Sequence, residues 1–266
     1  EAVKSIRYEN EQLILTSFWE EGELNKIMVT MLANQMDKEG LHPFHSSSVV
    51  YRGHGILLVG GENNHGKSMT QLEGCRRGAS IFSTETTVMD HETGIALYGS
   101  KNIYVRKRAK GTERSDLADQ DEGVKMFFGD EPEMPMCYEP TNMDLAIMPC
   151  IDGWFKTEVK PMGQFEAAYQ SYHSMMNFFG LNQLLCGKHG LVMPIVDTDE
   201  RRQDRGAFCA KYAAGRPYFM IRAKSPQLVF DEIDKLMEQN LRVLNVTDRP
   251  TQLDDEVVID FKGFCG

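Results

Sequence analysis

The sequence predicts an α/β fold built on a mixed sheet, in which a glycine-bounded phosphate loop is fed by a β-hairpin and flanked by helices. Three observations carry this. Ile56, Leu57, Leu58 and Val59 form a short continuous apolar run, as a buried strand does. Directly after it, Gly61 and Gly66 bracket Glu62, Asn63, Asn64 and His65, and Lys67 and Ser68 follow, which is the spacing of a P-loop or Walker A segment. Ahead of the run, a strand-like stretch over 41–51 and the turn Arg52, Gly53, His54 and Gly55 set an antiparallel partner beside the phosphate strand.

The chain in order supports the same class. Alternation through 12–18 predicts a strand or two near the start. Over 23–38, Leu24, Ile27, Met28, Met31, Leu32 and Met36 recur at helical spacing, with acidic residues at the start and Gly40 beyond the end. Its methionines read as core fillers. A helix over 69–77 places Leu72 and Cys75 inward, and Ala79, Ser80, Ile81 and Phe82 read as the next strand. Further strands are expected at 95–99, 103–105, 145–148 and 190–196, and an edge strand at 257–261. A long helix over 164–186 carries Phe165, Ala168, Tyr169, Tyr172, Met175, Met176 and Phe179 at helical spacing. It packs either on the sheet or on a partner chain, which leaves a homo-oligomer open. A last strand at 218–221 and a helix over 226–239 close the fold. No repeat or linker divides the chain, so residues 1–266 read as a single domain, with a mobile acidic insertion around 112–136 that is rich in Asp and Glu and broken by prolines.

Composition bounds what the loop is attached to. At 266 residues and 41% hydrophobic, the chain buries a full core, and a formal charge of −10 opposes a general affinity for nucleic acid or anionic membrane. Neither a membrane-spanning run nor an apolar leader is seen at Glu1, Ala2, Val3 and Lys4. The six cysteines show no Cys-x-x-Cys pair or ligand spacing, so a cytoplasmic, reducing setting is expected.

The loop chemistry follows from its residues. Backbone N–H groups from Gly61 to Gly66, including those of Asn63, Asn64 and His65, curl around a phosphate, and the helix entered through Met69 aims its positive end at the same anion. Lys67 reaches the β/γ-phosphates and Ser68 ligates a divalent cation. His65 either touches a phosphate or faces water.

The residues His45 to Val50, Gly53 to Val59, Gly61 to Ser68 and Arg77 to Glu85 resemble the core of the HPr kinase/phosphorylase family and its small-molecule kinase relatives, which share a fold with phosphoenolpyruvate carboxykinase. The likeness is good from about Leu41 to Asp90 and weaker over 216–222. It implies ATP, Mg²⁺ and transfer of the γ-phosphate to a hydroxyl. It also implies that His45 sits by the transferred group. The family's paired aspartates are replaced here by Thr84 and Glu85, so Glu85 is the candidate metal ligand or general base and Asp90 a substitute. Glu85 at a solvated strand end is the plain alternative. The cations Arg106, Lys107, Arg108, Lys110 and Arg114 are candidates for an anionic ligand or a solvated strand end. Arg201, Arg202 and Arg205 are candidates for transition-state charge, with a solvated helix or loop preferred. Together these readings predict a kinase acting on a small polar metabolite, with a protein serine kinase and a slow nucleotide-dependent switch as alternatives. No nucleic acid or membrane partner is expected.

Overall fold

The computed structural model of the chain describes residues 4–60, 65–105, 125–128, 131–179 and 198–239. Its first elements, β1 (Ser5–Glu9) and β2 (Gln12–Thr16), form an antiparallel hairpin. Asn10 and Glu11 take left-handed φ of 49° and 62°, as a two-residue hairpin turn of matching twist requires. Helix α1 (Glu21–Lys38) follows, opened by the Glu20/Glu23 capping box. Its inward face differs from the apolar stripe expected: Ile27, Thr30, Ala33 and Asn34 are buried, whereas Met28 and Leu32 are 68% and 57% exposed. The helix is rolled by polar anchors, since Asn34 Oδ1 accepts from Arg201 and Asp37 from Arg205, each at 2.8 Å.

The stretch 41–51, expected as one strand, is two. β3 (Leu41–His45) joins β7 (Thr86–Asp90) and β8 (Ala96–Gly99) in a three-stranded antiparallel sheet. β4 (Ser47–Tyr51) crosses into the main sheet, and Ser46 between them donates its N–H to the Glu85 carbonyl at 3.0 Å. The change of sheet is stitched by buried hydroxyls: Ser46 Oγ donates to Thr87 Oγ1 at 2.9 Å, and Ser48 Oγ lies 2.8 Å from Ser83 Oγ. These hydroxyls satisfy one another, as burial demands.

The main sheet has six strands in the order β12 (Glu158–Pro161), β13 (Tyr218–Ala223), β11 (Met143–Ile151), β5 (His54–Leu58), β4 and β6 (Ser80–Ser83). β13, β11 and β5 run parallel and the outer pairings are antiparallel, so the sheet is mixed. β5 is fed by the β4–β5 hairpin, with Arg52 and Gly53 at positive φ in its turn. One face, through Leu57, Val59, Ala146 and Tyr218, packs on α3 (Gln164–Met176), α4 (Asp199–Ala214) and the small sheet. The other, through Ile56, Leu58, Leu145, Ile147 and Ile221, packs on Val229, Phe230 and Ile233 of α5 (Pro226–Met237). The short α2 (Lys67–Arg76) is tied to α5 by Arg77, which pairs with Glu73, Asp231 and Asp234 at 2.8–2.9 Å.

Two expectations change at their ends. The helix expected over 164–186 stops at Met176 and passes into a 3₁₀ turn, Asn177–Phe179. The close of the segment read as an insertion is docked: the Pro135 carbonyl accepts from Ile81 N–H at 2.7 Å, and Met134 is buried. A further antiparallel pair joins β9 (Asn102–Val105) to β10 (Lys125–Phe128). The remainder of the insertion, the cations from Arg106 to Arg114, and the strands expected at 190–196 and 257–261 lie outside the described residues. Among the described residues, no helix is long and apolar enough to cross a membrane.

Candidate functional site

The site forms where β5 ends and α2 begins. Gly61, Asn63 and Asn64 lie outside the described residues; the chain is followed to Gly60 and resumes at His65. Gly66 caps α2 in the left-handed region with φ 99°, and its carbonyl accepts from Thr70 N–H at 2.9 Å. A side chain there meets two obstacles, since a Cβ falls 2.6 Å from Ile151 Cδ1 and 2.7 Å from its Cγ1. Gly66→Ala is therefore expected to destabilise the protein by roughly 2–4 kcal/mol, combining backbone strain with overpacking. Adding Ile151→Ala relieves the clash and leaves the strain, so urea melts of the single and double variants separate the two terms.

Lys67, the first residue of α2, folds back so that Nζ donates to the Gly60 carbonyl at 3.0 Å. Burial pulls its ammonium down to about 8, against an opposing attraction from Glu85. A cation at a helix N-terminus adds to the positive potential of the helix dipole. Gln71 fixes the helix from below by donating to the carbonyls of Ser48 at 3.1 Å and Ser83 at 2.6 Å.

Two expected partners converge on Lys67. His45, at the end of β3, is half-buried, and burial first, then the charges of Lys67 and His173, push its imidazole down to about 4. Its carbonyl accepts from Ser174 Oγ at 2.8 Å, and its ring meets Phe178 edge-on at 6.1 Å. Glu85 lies in the turn between β6 and β7 with its carboxylate exposed. Its N–H and that of Thr86 both donate to Ser100 Oγ at 2.9 Å, which fixes the turn. Thr84, beside it, is buried and bonded to Ser100, so the first position of the replaced aspartate pair is a structural tie.

The neutral state of His45 makes the site acid-sensitive. Its folded value lies below the ordinary 6.5, so the unfolded chain binds more protons between about 4 and 6.5. Stability is therefore lost as pH falls through that window, by roughly 2–3 kcal/mol at its lower end. His45→Gln is expected to remove this component, read as a flatter dependence of the urea midpoint on pH.

The other candidates are placed differently. Ser68 and Met69 are exposed on the first turn of α2. His65 is half-buried, its ring lying against Gly60 and its Nδ1 3.9 Å from Cys150 Sγ. Asp90 is not part of the cluster. It occupies the far end of β7, paired with Leu41 where Thr86 pairs with His45, and its carboxylate holds the turn by accepting from Thr93 N–H at 2.8 Å. Arg201 and Arg205 are bound to α1 and Arg202 to Asp199, so these arginines serve the helix packing. Sequence reading missed His173 and Ser174, which sit in a helix stripe read as core. Their one trace is that His173 continues the row Phe165, Tyr169 at four-residue spacing, with near-parallel rings.

Among the described residues, no group of three or more His, Cys, Asp and Glu side chains forms a metal cage. No family model matches the chain. A trigger factor from Alkaliphilus metalliredigens (strain QYMF) is 58% identical to it over 38 residues, which is 14% of this chain. The match spans 9% of that protein's length. A likeness this short shows neither the fold nor the activity of the remainder.

Proposed function

We propose that this chain is an ATP- and Mg²⁺-dependent kinase, of the kind its HPr kinase-like segments suggest, that transfers the γ-phosphate to a hydroxyl of a small polar metabolite. The observation that carries the reading is the half-buried Lys67 ammonium at the start of α2, within electrostatic reach of His45 and Glu85. Phosphoryl transfer asks mainly for positioning and charge neutralisation, and this cluster offers both.

Each residue has a separate task. Lys67, with the N–H groups at the start of α2, holds the transferred phosphate and stabilises the charge that spreads over its oxygens. Ser68 and Glu85 would hold Mg²⁺, which when bound would supply positive charge to the nucleotide's phosphates. His45 is uncharged near neutral pH and accepts a hydrogen bond from the acceptor hydroxyl. The hydroxyl oxygen bonds to phosphorus as the bond to the ADP oxygen breaks, and the hydroxyl proton leaves through His45 to solvent.

Mass spectrometry of a small-molecule extract incubated with Mg·ATP tests the proposal. A metabolite gaining one phosphoryl group with the intact protein, and much less with Lys67→Ala or Glu85→Gln, is the expected result. Nucleotide binding without any phosphorylated metabolite would overturn the small-molecule reading.

A further inference from the structure

Away from this site, a second polar cluster is buried where α1, β3 and α4 meet. Asp37, in the last turn of α1, and His42, on β3, have side chains only 5% and 3% exposed. One carboxylate oxygen of Asp37 lies 3.0 Å from His42 Nδ1, and the other accepts from Arg205 Nη1 at 2.8 Å. The contact to Nδ1 lacks a straight N–H···O line, so it is a close polar contact rather than a directional hydrogen bond. On its other side, His42 Nε2 lies 2.8 Å from Nδ1 of His91, the first residue after β7. Phe208 lies against both rings, 4.2 Å from His42 and 5.6 Å from His91, with His42 buried and His91 half-buried.

Counting hydrogens defines what this arrangement tolerates. A bare Nδ1 facing a carboxylate at 3.0 Å is repulsive, so His42 carries its proton there. A single hydrogen then fills the space between His42 Nε2 and His91 Nδ1. With no added proton, His91 donates to His42. With one added proton on the pair, either ring donates to the other and the bond survives. With two, both nitrogens carry hydrogens that face each other, and the bond cannot persist. Among the surrounding charges, Asp37 is matched by Arg205, Lys211 sits against the Glu92 carbonyl, and the Asp90 carboxylate, held in its turn by Thr93, attracts a charge on His91 without removing the clash of the two facing hydrogens.

We propose that Asp37, His42 and His91 form an acid-operated clasp, which holds the end of α1 and the turn after β7 to the start of β3 with zero or one added proton and releases on the second. The His91 N–H donates to the Gly40 carbonyl at 2.8 Å, so the amide of His91 reports the closed state. Opening loosens the strand whose far end carries His45.

The test uses the full chain, following the imidazole nitrogens by NMR and amide hydrogen exchange as pH falls. The His91 amide is expected to lose at least tenfold protection, corrected for intrinsic exchange, in a step that accompanies the second protonation of the pair, while amides of β5 stay protected. In His91→Phe and His91→Gln, neither of which binds the second proton, that step disappears. Should neither variant fold, the wild-type spectra decide alone. Two independent single-proton titrations with the His91 amide still protected would overturn the clasp, as would loss of β5 protection in the same step or an unchanged step in a folded variant.

Discussion

Lys67→Met is expected to make the nucleotide-free protein more stable while lowering phosphoryl transfer by at least about 10²–10³-fold. The two effects share one cause. An ammonium pulled from its ordinary 10.5 to about 8 is one that the folded protein holds at a cost, chiefly of desolvation. The shift corresponds to roughly 3 kcal/mol below both values, so an uncharged side chain of similar length recovers roughly 1–3 kcal/mol once the lost bond to the Gly60 carbonyl is subtracted. The sign gives a further check. Between about 8 and 10.5 the unfolded chain binds more protons than the folded one, so wild-type stability rises with pH there relative to the variant, and the advantage of methionine fades. Urea midpoints at pH 7 and pH 10 measure this, and Mg·ATP should raise the melting temperature of the wild type alone. A methionine variant less stable than wild type at pH 7 would mean that Lys67 is a structural tie and that the site is not strained towards an anion.

The local geometry at the start of α2 was legible in the sequence and its surroundings were not. Gly66, Lys67 and Ser68 follow from local rules, because a left-handed cap and a helix start need particular residues at fixed spacing. The β4–β5 hairpin was legible for the same reason. His45 and Glu85 were named only through resemblance, and nothing in their spacing brings them to Lys67. That convergence depends on β3 and β4 parting at Ser46, where a polar residue inside a strand-like run gave no warning. Asp90, the substitute candidate in sequence, is carried away by the length of β7. His173 was hidden by an i,i+4 pattern that reads as core whether its ring faces the sheet or the site. On α1, the apolar stripe pointed to one face, and the polar anchors Asn34 and Asp37 selected another.

Arg205 shows the largest gap between composition and packing, and Arg205→Met carries the second large expected effect. Within the run Asp199, Glu200, Arg201, Arg202, Asp204 and Arg205, charge density suggests a solvated segment, yet Arg205 is 0% exposed. It lies on the inner face of α4 with Phe208, Cys209 and Tyr212, so the helical period beyond it, rather than the charge around it, sets its direction. Its guanidinium stands 4.0 Å over the Phe179 ring and pairs with Asp37 at 2.8 Å. Methionine keeps much of the packing but leaves the Asp37 carboxylate buried with His42 alone. Breaking a buried pair in this way costs about 3–5 kcal/mol, which for a chain of this size lowers the melting temperature by about 6–20 °C. Removing both charges, as Asp37→Asn with Arg205→Met, is expected to cost less than the sum of the two single changes, because the uncompensated charge is gone. A single variant that melts within 2 °C of wild type would show that Asp37 reaches solvent or His42 carries a full charge there. Either outcome bears on the clasp, since a charged His42 in the resting protein is already the one added proton that the closed pair tolerates, and the next one releases it.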